Sequence, residues 1–171
     1  MINKKVEAAI NAQINAELYS AYLYLSMNAY FHSVNLPGFA NWMRVQALEE
    51  FTHADKFFSY LVSRGGRVKL DAVDGPPIQW KSALALFEEV LKHEQKVTSL
   101  INNLVDLSLK EKDHATNSML NWFVDEQVEE ESNADSIIQQ LKLMGDSGHG
   151  LYMLDKELAT RVFVPPIQNQ P

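Results

Sequence analysis

The feature that most constrains this chain is the distribution of its helix-breaking residues. Only 7 Gly and 6 Pro occur in 171 residues, and most fall into a few clusters. The stretches between these clusters are long and rich in Ala, Leu, Glu, Gln and Lys, which favour helix. No strand pattern competes. The sequence therefore predicts an all-α protein with helices at about residues 4–33, 39–65, 82–110, 114–144 and 149–160, the third capped by Ser82.

The connections between these helices predict their arrangement. Short loops join the first helix to the second and the third to the fourth, so each pair should form an antiparallel hairpin. The segment from Gly65 to Lys81 can span about 56–60 Å when extended, whereas a helix of about 27 residues is about 40 Å long. We therefore expect a single domain over residues 1–171, a four-helix bundle with one long crossover plus a short C-terminal fifth helix.

Composition and charge exclude several classes of function. The chain has no cysteine, so disulfides, thiolate metal sites and thiol catalysis are excluded. The N-terminus lacks the pattern of a secretory signal, and no apolar run is long enough for a membrane helix. A net charge of −7 disfavours binding to nucleic acid. We expect a cytoplasmic protein that binds neither membrane nor nucleic acid.

Polar residues interrupt the apolar seam of each long helix near its middle. The interrupting residues are Glu17, Glu50, His53, Glu94, Gln127 and Glu130. In a bundle of matched helices they should converge at one level, where unpaired carboxylates would repel one another and be costly to bury. Protonation would relieve the repulsion, but a bound metal is the simpler explanation. Oxygen ligands with one imidazole suit iron, manganese or zinc.

The spacing of these residues supports a metal site. Glu50 and His53 form a Glu-x-x-His pair, whose side chains leave one helix face about one turn apart. The interval from Glu17 to Glu50 equals that from Glu94 to Gln127, which indicates an approximate twofold arrangement. Glu50 is best placed to bridge two metal ions. Two Glu-x-x-His motifs on different helices are a known way to bind two metal ions in a four-helix bundle, and this chain has one such motif.

Five short motifs, spread over nearly the whole chain, resemble those of non-haem ferritins, most closely of the bacterial type. The motifs span residues 15–20, 49–54, 92–95, 126–131 and 150–157. The resemblance implies a hollow shell of twenty-four subunits that stores iron. It also implies an iron-oxidising centre in each subunit, where oxygen or peroxide oxidises Fe(II).

The resemblance also assigns the iron ligands. One iron would bind Glu17, Glu50 and His53, and the second Glu50, Glu94 and Glu130, with Gln127 nearby. A possible third iron site would use Glu49, Glu126, Glu129 and Glu130. Tyr24 matches a tyrosine beside the centre and Trp122 a nearby aromatic; either could supply electrons.

The chain departs from related families at several positions. Bacterioferritins have a second Glu-x-x-His, where this chain has Gln127 and Glu130. In bacterioferritins, a haem-binding methionine directly precedes the histidine of the first Glu-x-x-His motif. This chain has Thr52 at that position, so no haem is expected. Asn117 and Leu120 stand where animal ferritins line an entry channel with acids, which leaves the iron route open.

Several other interpretations are possible from sequence. The core carboxylates could be structural, the set Glu49, Glu126 and Glu129 could be a solvated acidic face, and Tyr24 and Trp122 could be core packing. His32, His93, His114 and His149 are expected at the surface, and Phe57 and Phe58 in the core. The functional alternatives are a di-iron oxygenase or peroxidase, a DNA-protecting mini-ferritin and a structural bundle.

The apolar face of the fifth helix should pack on a neighbouring subunit or on its own bundle.

Overall fold

The computed structural model describes residues 2–165; Met1 and residues 166–171, at the two ends of the expected domain, lie outside the described part. It contains five α-helices and no strand among the described residues, which confirms the predicted all-α class. The helices are α1 (Lys4–Ser33), α2 (Pro37–Ser63), α3 (Ala83–Lys110), α4 (His114–Met144) and α5 (Gly148–Leu158). None of them is long and apolar enough to cross a membrane.

Local chemistry sets most of the helix ends. Ser82 caps α3 as predicted by accepting from the Ala85 amide at 3.1 Å, and Asp113 caps α4 by accepting from the Thr116 amide at 3.2 Å. The helix α2 begins at Pro37, two positions before the predicted start, because proline favours the first turn of a helix. It ends before Gly65, whose φ of +69° lies in the left-handed region.

The long crossover that the sequence predicted lies along α1. The Asn11 side chain donates to the Arg67 carbonyl and accepts from the Lys69 amide, at 3.1 and 2.6 Å. Farther along, the Asn15 amide donates to the Ala72 carbonyl at 3.0 Å, and the Trp80 ring packs edge-on against Tyr30. The crossover therefore carries the chain from the end of α2 back to the start of α3.

The core consists of two apolar clusters, one at each end of the bundle. One cluster contains Phe31, Phe39 and Phe87 and includes residues of all five helices. The other contains Phe57 and Phe123, whose rings stack with centroids 4.0 Å apart. Neither cluster includes the polar seam residues, which lie between them along the helices. The bundle thus buries a polar layer between two apolar ends.

The helix α5 docks on the bundle through its own apolar face and one carboxylate. Leu154 and Leu158 are buried in the first cluster, so this part of the face packs on its own chain, whereas Tyr152 and Val162 stay exposed. The buried Asp155 accepts from the Gly38 and Phe39 amides at 2.7 and 3.1 Å. It thereby supplies the N-terminal cap that Leu36 cannot.

The glycine at position 38 is required by this docking. A Cβ atom there would stand 1.6 Å from the Asp155 carbonyl oxygen, a distance that no packing allows. The backbones of α2 and α5 therefore meet where only glycine fits.

Two sequence predictions about individual residues are wrong. Phe58 is 39% exposed rather than in the core, because it faces outward with Phe51 and Leu70. His93 is half-buried rather than at the surface, and its Nε2 lies 2.8 Å from the Ser20 hydroxyl. Of the two positions compared with the acidic channel of animal ferritins, Leu120 is completely buried in the second cluster and Asn117 is half-buried.

Candidate metal centre

The polar seam residues of the four long helices converge in the buried layer. Six of the predicted site residues have side chains that are at most 6% exposed, namely Glu17, Glu50, His53, Glu94, Gln127 and Glu130. Glu17, Glu50 and His53 each offer one ligand atom, and these atoms lie within 4.8 Å of one another. They form the only such group among the described residues.

Hydrogen bonds from neighbouring side chains hold the remaining carboxylates of the layer. Tyr24 donates its hydroxyl to Glu94, and the Gln127 amide donates to Glu94 Oε2 at 3.2 Å. On the other side, the Gln46 amide donates to Glu130 Oε2 at 2.8 Å and to Glu50 Oε1 at 3.3 Å. Each helix thus contributes acceptors whose positions are fixed by a neighbouring donor.

Burial makes these carboxylates hard to ionise. Desolvation, followed by the neighbouring Glu50 charge, raises the pKa of Glu17 to about 8. Desolvation and mutual repulsion also raise the pKa values of Glu50, Glu94 and Glu130, and desolvation raises the pKa of Tyr24. Among the described residues, no lysine or arginine forms an ion pair with Glu17, Glu50, Glu94 or Glu130. Their charge must therefore be compensated by protons or by cations.

One buried oxygen has no partner in the layer. Glu17 accepts from the Gln13 amide through Oε1 at 2.8 Å, but its Oε2 has no hydrogen-bond partner within residues 2–165. Unpaired buried oxygens are costly, so such an atom usually has a function. Oxygen donors with one imidazole at these distances fit a divalent iron ion.

The carboxylates outside this layer are not assembled into a second metal-binding group. Glu49 and Glu126 are half-buried and Glu129 is exposed. Glu49 instead forms an ion pair with Arg161 at 2.5 Å. Desolvation raises the pKa of Glu49, and Arg161 opposes that rise. Thr52, at the position where a haem ligand was considered, offers no sulfur and donates to the Glu49 carbonyl.

The aromatic residues lie beside the centre. The Tyr24 ring packs edge-on against Trp42 and against His93, with centroids 6.4 and 6.3 Å apart. Trp122 is half-buried and meets the His53 ring edge-on at 5.4 Å. Both candidate electron donors are therefore within contact distance of a site residue.

Sequence reasoning missed three residues of the centre. Gln13 and Gln46 are both buried, and each stands four residues before a site glutamate on the same helix, a spacing that could have identified them. Arg161 gave no such signal, because it reaches Gln46 and Glu49 from beyond the end of α5.

The comparisons with known proteins agree with this architecture. A family model of the ferritin-like domain matches residues 7–144. This chain belongs to the ferritin-like family. It is 44% identical over 161 residues to a bacterial non-haem ferritin of Bacteroides fragilis, covering 94% of this chain and 100% of the relative. A bacterial non-haem ferritin of Staphylococcus aureus is 41% identical over 163 residues, covering 95% and 98% of the two chains.

Solved structures give the same result for the fold. A closed form of the Archaeoglobus fulgidus ferritin, engineered by site-directed mutagenesis, shares 54% sequence identity with a TM-score of 0.95, covering 96% of this chain and 100% of that chain. A structure of the same archaeon's open-pore ferritin has a TM-score of 0.94 at 54% identity, covering 95% of this chain and 99% of that chain. The ferritin-like bundle predicted from the sequence is confirmed.

Proposed function

We propose that this protein stores iron in the cytoplasm and oxidises Fe(II) at the buried centre between its four long helices. Membership of the ferritin-like family supports iron storage with a ferroxidase role. The observation that carries the assignment to this site is the group of Glu17, Glu50 and His53, whose ligand atoms lie within 4.8 Å of one another. In the part of the chain that the structure describes, no lysine or arginine pairs with the carboxylates of this layer.

Two iron positions follow from the ligand set. The first would use Glu17, His53 and one oxygen of Glu50. The second would use the other Glu50 oxygen with Glu94 and Glu130, while Gln127 holds Glu94 through a 3.2 Å hydrogen bond. Because the ligands of the second position are carboxylates alone, they suit an ion that must leave after oxidation. A third position at Glu49, Glu126, Glu129 and Glu130 would require Glu49 to leave Arg161.

The chain's own groups handle the charge that accompanies oxidation. Carboxylates with raised pKa values release protons when Fe(II) binds, which limits the charge buried in the layer. Oxygen or peroxide accepts the electrons of the Fe(II) ions. Tyr24, which donates to Glu94, and Trp122, which meets His53, can supply further electrons and so quench oxidising species.

We further propose that twenty-four copies assemble into a hollow shell in which the ferric product is stored. The relatives are ferritins over nearly their full length, and large apolar side chains such as Phe51, Leu143 and Tyr152 are exposed on the single chain. When a single chain exposes several large apolar side chains, assembly is favoured because it buries those side chains between subunits.

Replacing Glu50 by glutamine tests the site, because the exchange removes the bridging charge and preserves the shape. Stopped-flow absorbance after aerobic addition of two Fe(II) per subunit should show oxidation slowed by more than about tenfold, since even outer-shell changes cost 10–100-fold at metal sites. The control is Glu88→Gln, the same exchange at an exposed residue that pairs only with Lys142. Equal initial rates of Fe(II) oxidation in Glu50→Gln and the control would show that this centre does not oxidise Fe(II).

A further inference from the structure

The chain after α5 returns to α2 and is held there. The Asn41 side-chain amide donates to the carbonyls of Leu158 and Arg161, at 3.2 and 2.9 Å. The Arg161 guanidinium lies 4.5 Å from the centre of the Trp42 ring, in a cation–π arrangement. These contacts fix the orientation of the Arg161 side chain, although 22% of that side chain is exposed.

The guanidinium reaches two residues one turn apart on α2. One terminal nitrogen donates to Gln46 Oε1 at 2.9 Å, and the other donates to Glu49 Oε2 at 2.5 Å. The planar guanidinium can donate to both acceptors at once through its two terminal nitrogens, whereas a lysine ammonium offers a single nitrogen atom.

The contact with Gln46 determines how that amide faces the centre. An arginine can only donate, so it holds the carbonyl end of the Gln46 amide. The NH₂ end must then point into the layer, where it donates to Glu130 Oε2 at 2.8 Å and to Glu50 Oε1 at 3.3 Å. Gln46 is completely buried, so its amide has no contact with solvent in the folded chain.

We propose that Arg161 is a positioning residue of the iron centre, which acts through Gln46 to hold Glu50 and Glu130 in place. The inference rests on the proposed function and extends the centre to the segment beyond α5. It concerns the second iron position, because Glu130 contributes to that position alone of the two in the buried layer. The first position, which Glu17 and His53 hold together with Glu50, shares only the longer 3.3 Å contact with Gln46, so it should depend on Arg161 less than the second.

The test is Co(II) binding to the metal-free, assembled protein, followed by the visible absorbance of the bound ion. Arg161→Lys keeps the charge but loses the planar guanidinium, so the second Co(II) equivalent should bind about tenfold more weakly, as is usual for outer-shell changes, and the first should be weakened less. Gln46→Met should show the same loss, and the double variant should show no further loss. Arg44→Lys, the same exchange at an exposed arginine of α2, is the control.

Each outcome separates this inference from the proposed function. An unchanged second Co(II) affinity in Arg161→Lys, or losses that add in the double variant, would overturn the role of Arg161 and leave the proposed function intact. Failure of the unmodified protein to bind two Co(II) per chain would overturn both. If Gln46→Met does not fold, Gln46→Asn replaces it, because its shorter side chain cannot span from Arg161 to Glu130.

Discussion

At the scale of single residues, the proposed iron centre consists of buried acids whose pKa values are raised. Desolvation is the main cause of the raised pKa values of Glu17, Glu50, Glu94 and Glu130. Near neutral pH the metal-free layer therefore holds protons that a divalent ion displaces. Proton and metal binding at these side chains are linked.

This linkage predicts a specific dependence on pH. The folded-state pKa of Glu17 is about 8, against an ordinary value of 4.5, so the folded, metal-free protein binds more protons than the unfolded chain between these values. Its stability should therefore decrease as the pH rises from about 4.5 to about 8, while its metal affinity increases over the same range. Titration calorimetry with Co(II) at pH 6.5, in two buffers of different ionisation enthalpy, should show proton release.

The control for this measurement is Glu50→Gln, which removes one of the titrating groups. It should release fewer protons per Co(II) bound. Co(II) binding without any proton release at pH 6.5 would show that the carboxylates are already ionised, contrary to the effect of their burial.

The sequence predicted the residues of the centre better than their surroundings. Carboxylates and an imidazole on an apolar seam are anomalous within one helix, so Glu17, Glu50, His53 and Glu94 could be identified without coordinates. The positions of Gln46 and Arg161 depend on packing between distant segments, 115 positions apart in sequence. His93 could not be placed because its burial depends on the side chains of α1, which pack against it.

At the scale of helices, the docking of α5 depends on one carboxylate. Asp155 accepts from two amides at the start of α2, where the chain's own N-cap residue, Leu36, offers no acceptor. The contact also determines where the following segment, with Arg161, meets α2. The packing of α5 and the order of the centre are therefore connected.

Replacing Asp155 by alanine should destabilise the protein by about 1 kcal/mol per subunit, the usual cost of a lost N-terminal cap. Scanning calorimetry of the metal-free protein measures the effect, with Asp146→Ala, at an exposed aspartate before α5, as the control. Asp155→Asn should lose less because its side-chain oxygen still accepts. A melting temperature of Asp155→Ala equal to that of the control would show that the apolar face alone docks α5.

The helix boundaries were predictable to within two residues, because breakers and caps are local signals. The sequence did not predict which surface the apolar face of α5 packs against, because both the chain's own bundle and a neighbouring subunit remained possible. The structure divides that face, with Leu154 and Leu158 buried against the bundle and Tyr152 and Val162 exposed.

At the scale of the whole molecule, the chain is a bundle with a polar middle and apolar ends that leaves large apolar side chains exposed. Phe51, Phe58 and Leu70 line one concave surface between α1, α2 and the crossover. Such surfaces favour assembly, and a storage function requires an enclosed space that one bundle does not provide. The centre and the assembly are thus two parts of the same proposal.

The most direct test of the whole account is aerobic addition of Fe(II), in large excess over the centres, to the metal-free protein. The products are then separated by size-exclusion chromatography, with iron and protein measured in each fraction. The account predicts that far more iron than two ions per chain elutes with a large, roughly spherical assembly. Iron uptake that stops at about two ions per chain, or elution as a monomer or dimer, would contradict storage and favour a di-iron redox enzyme.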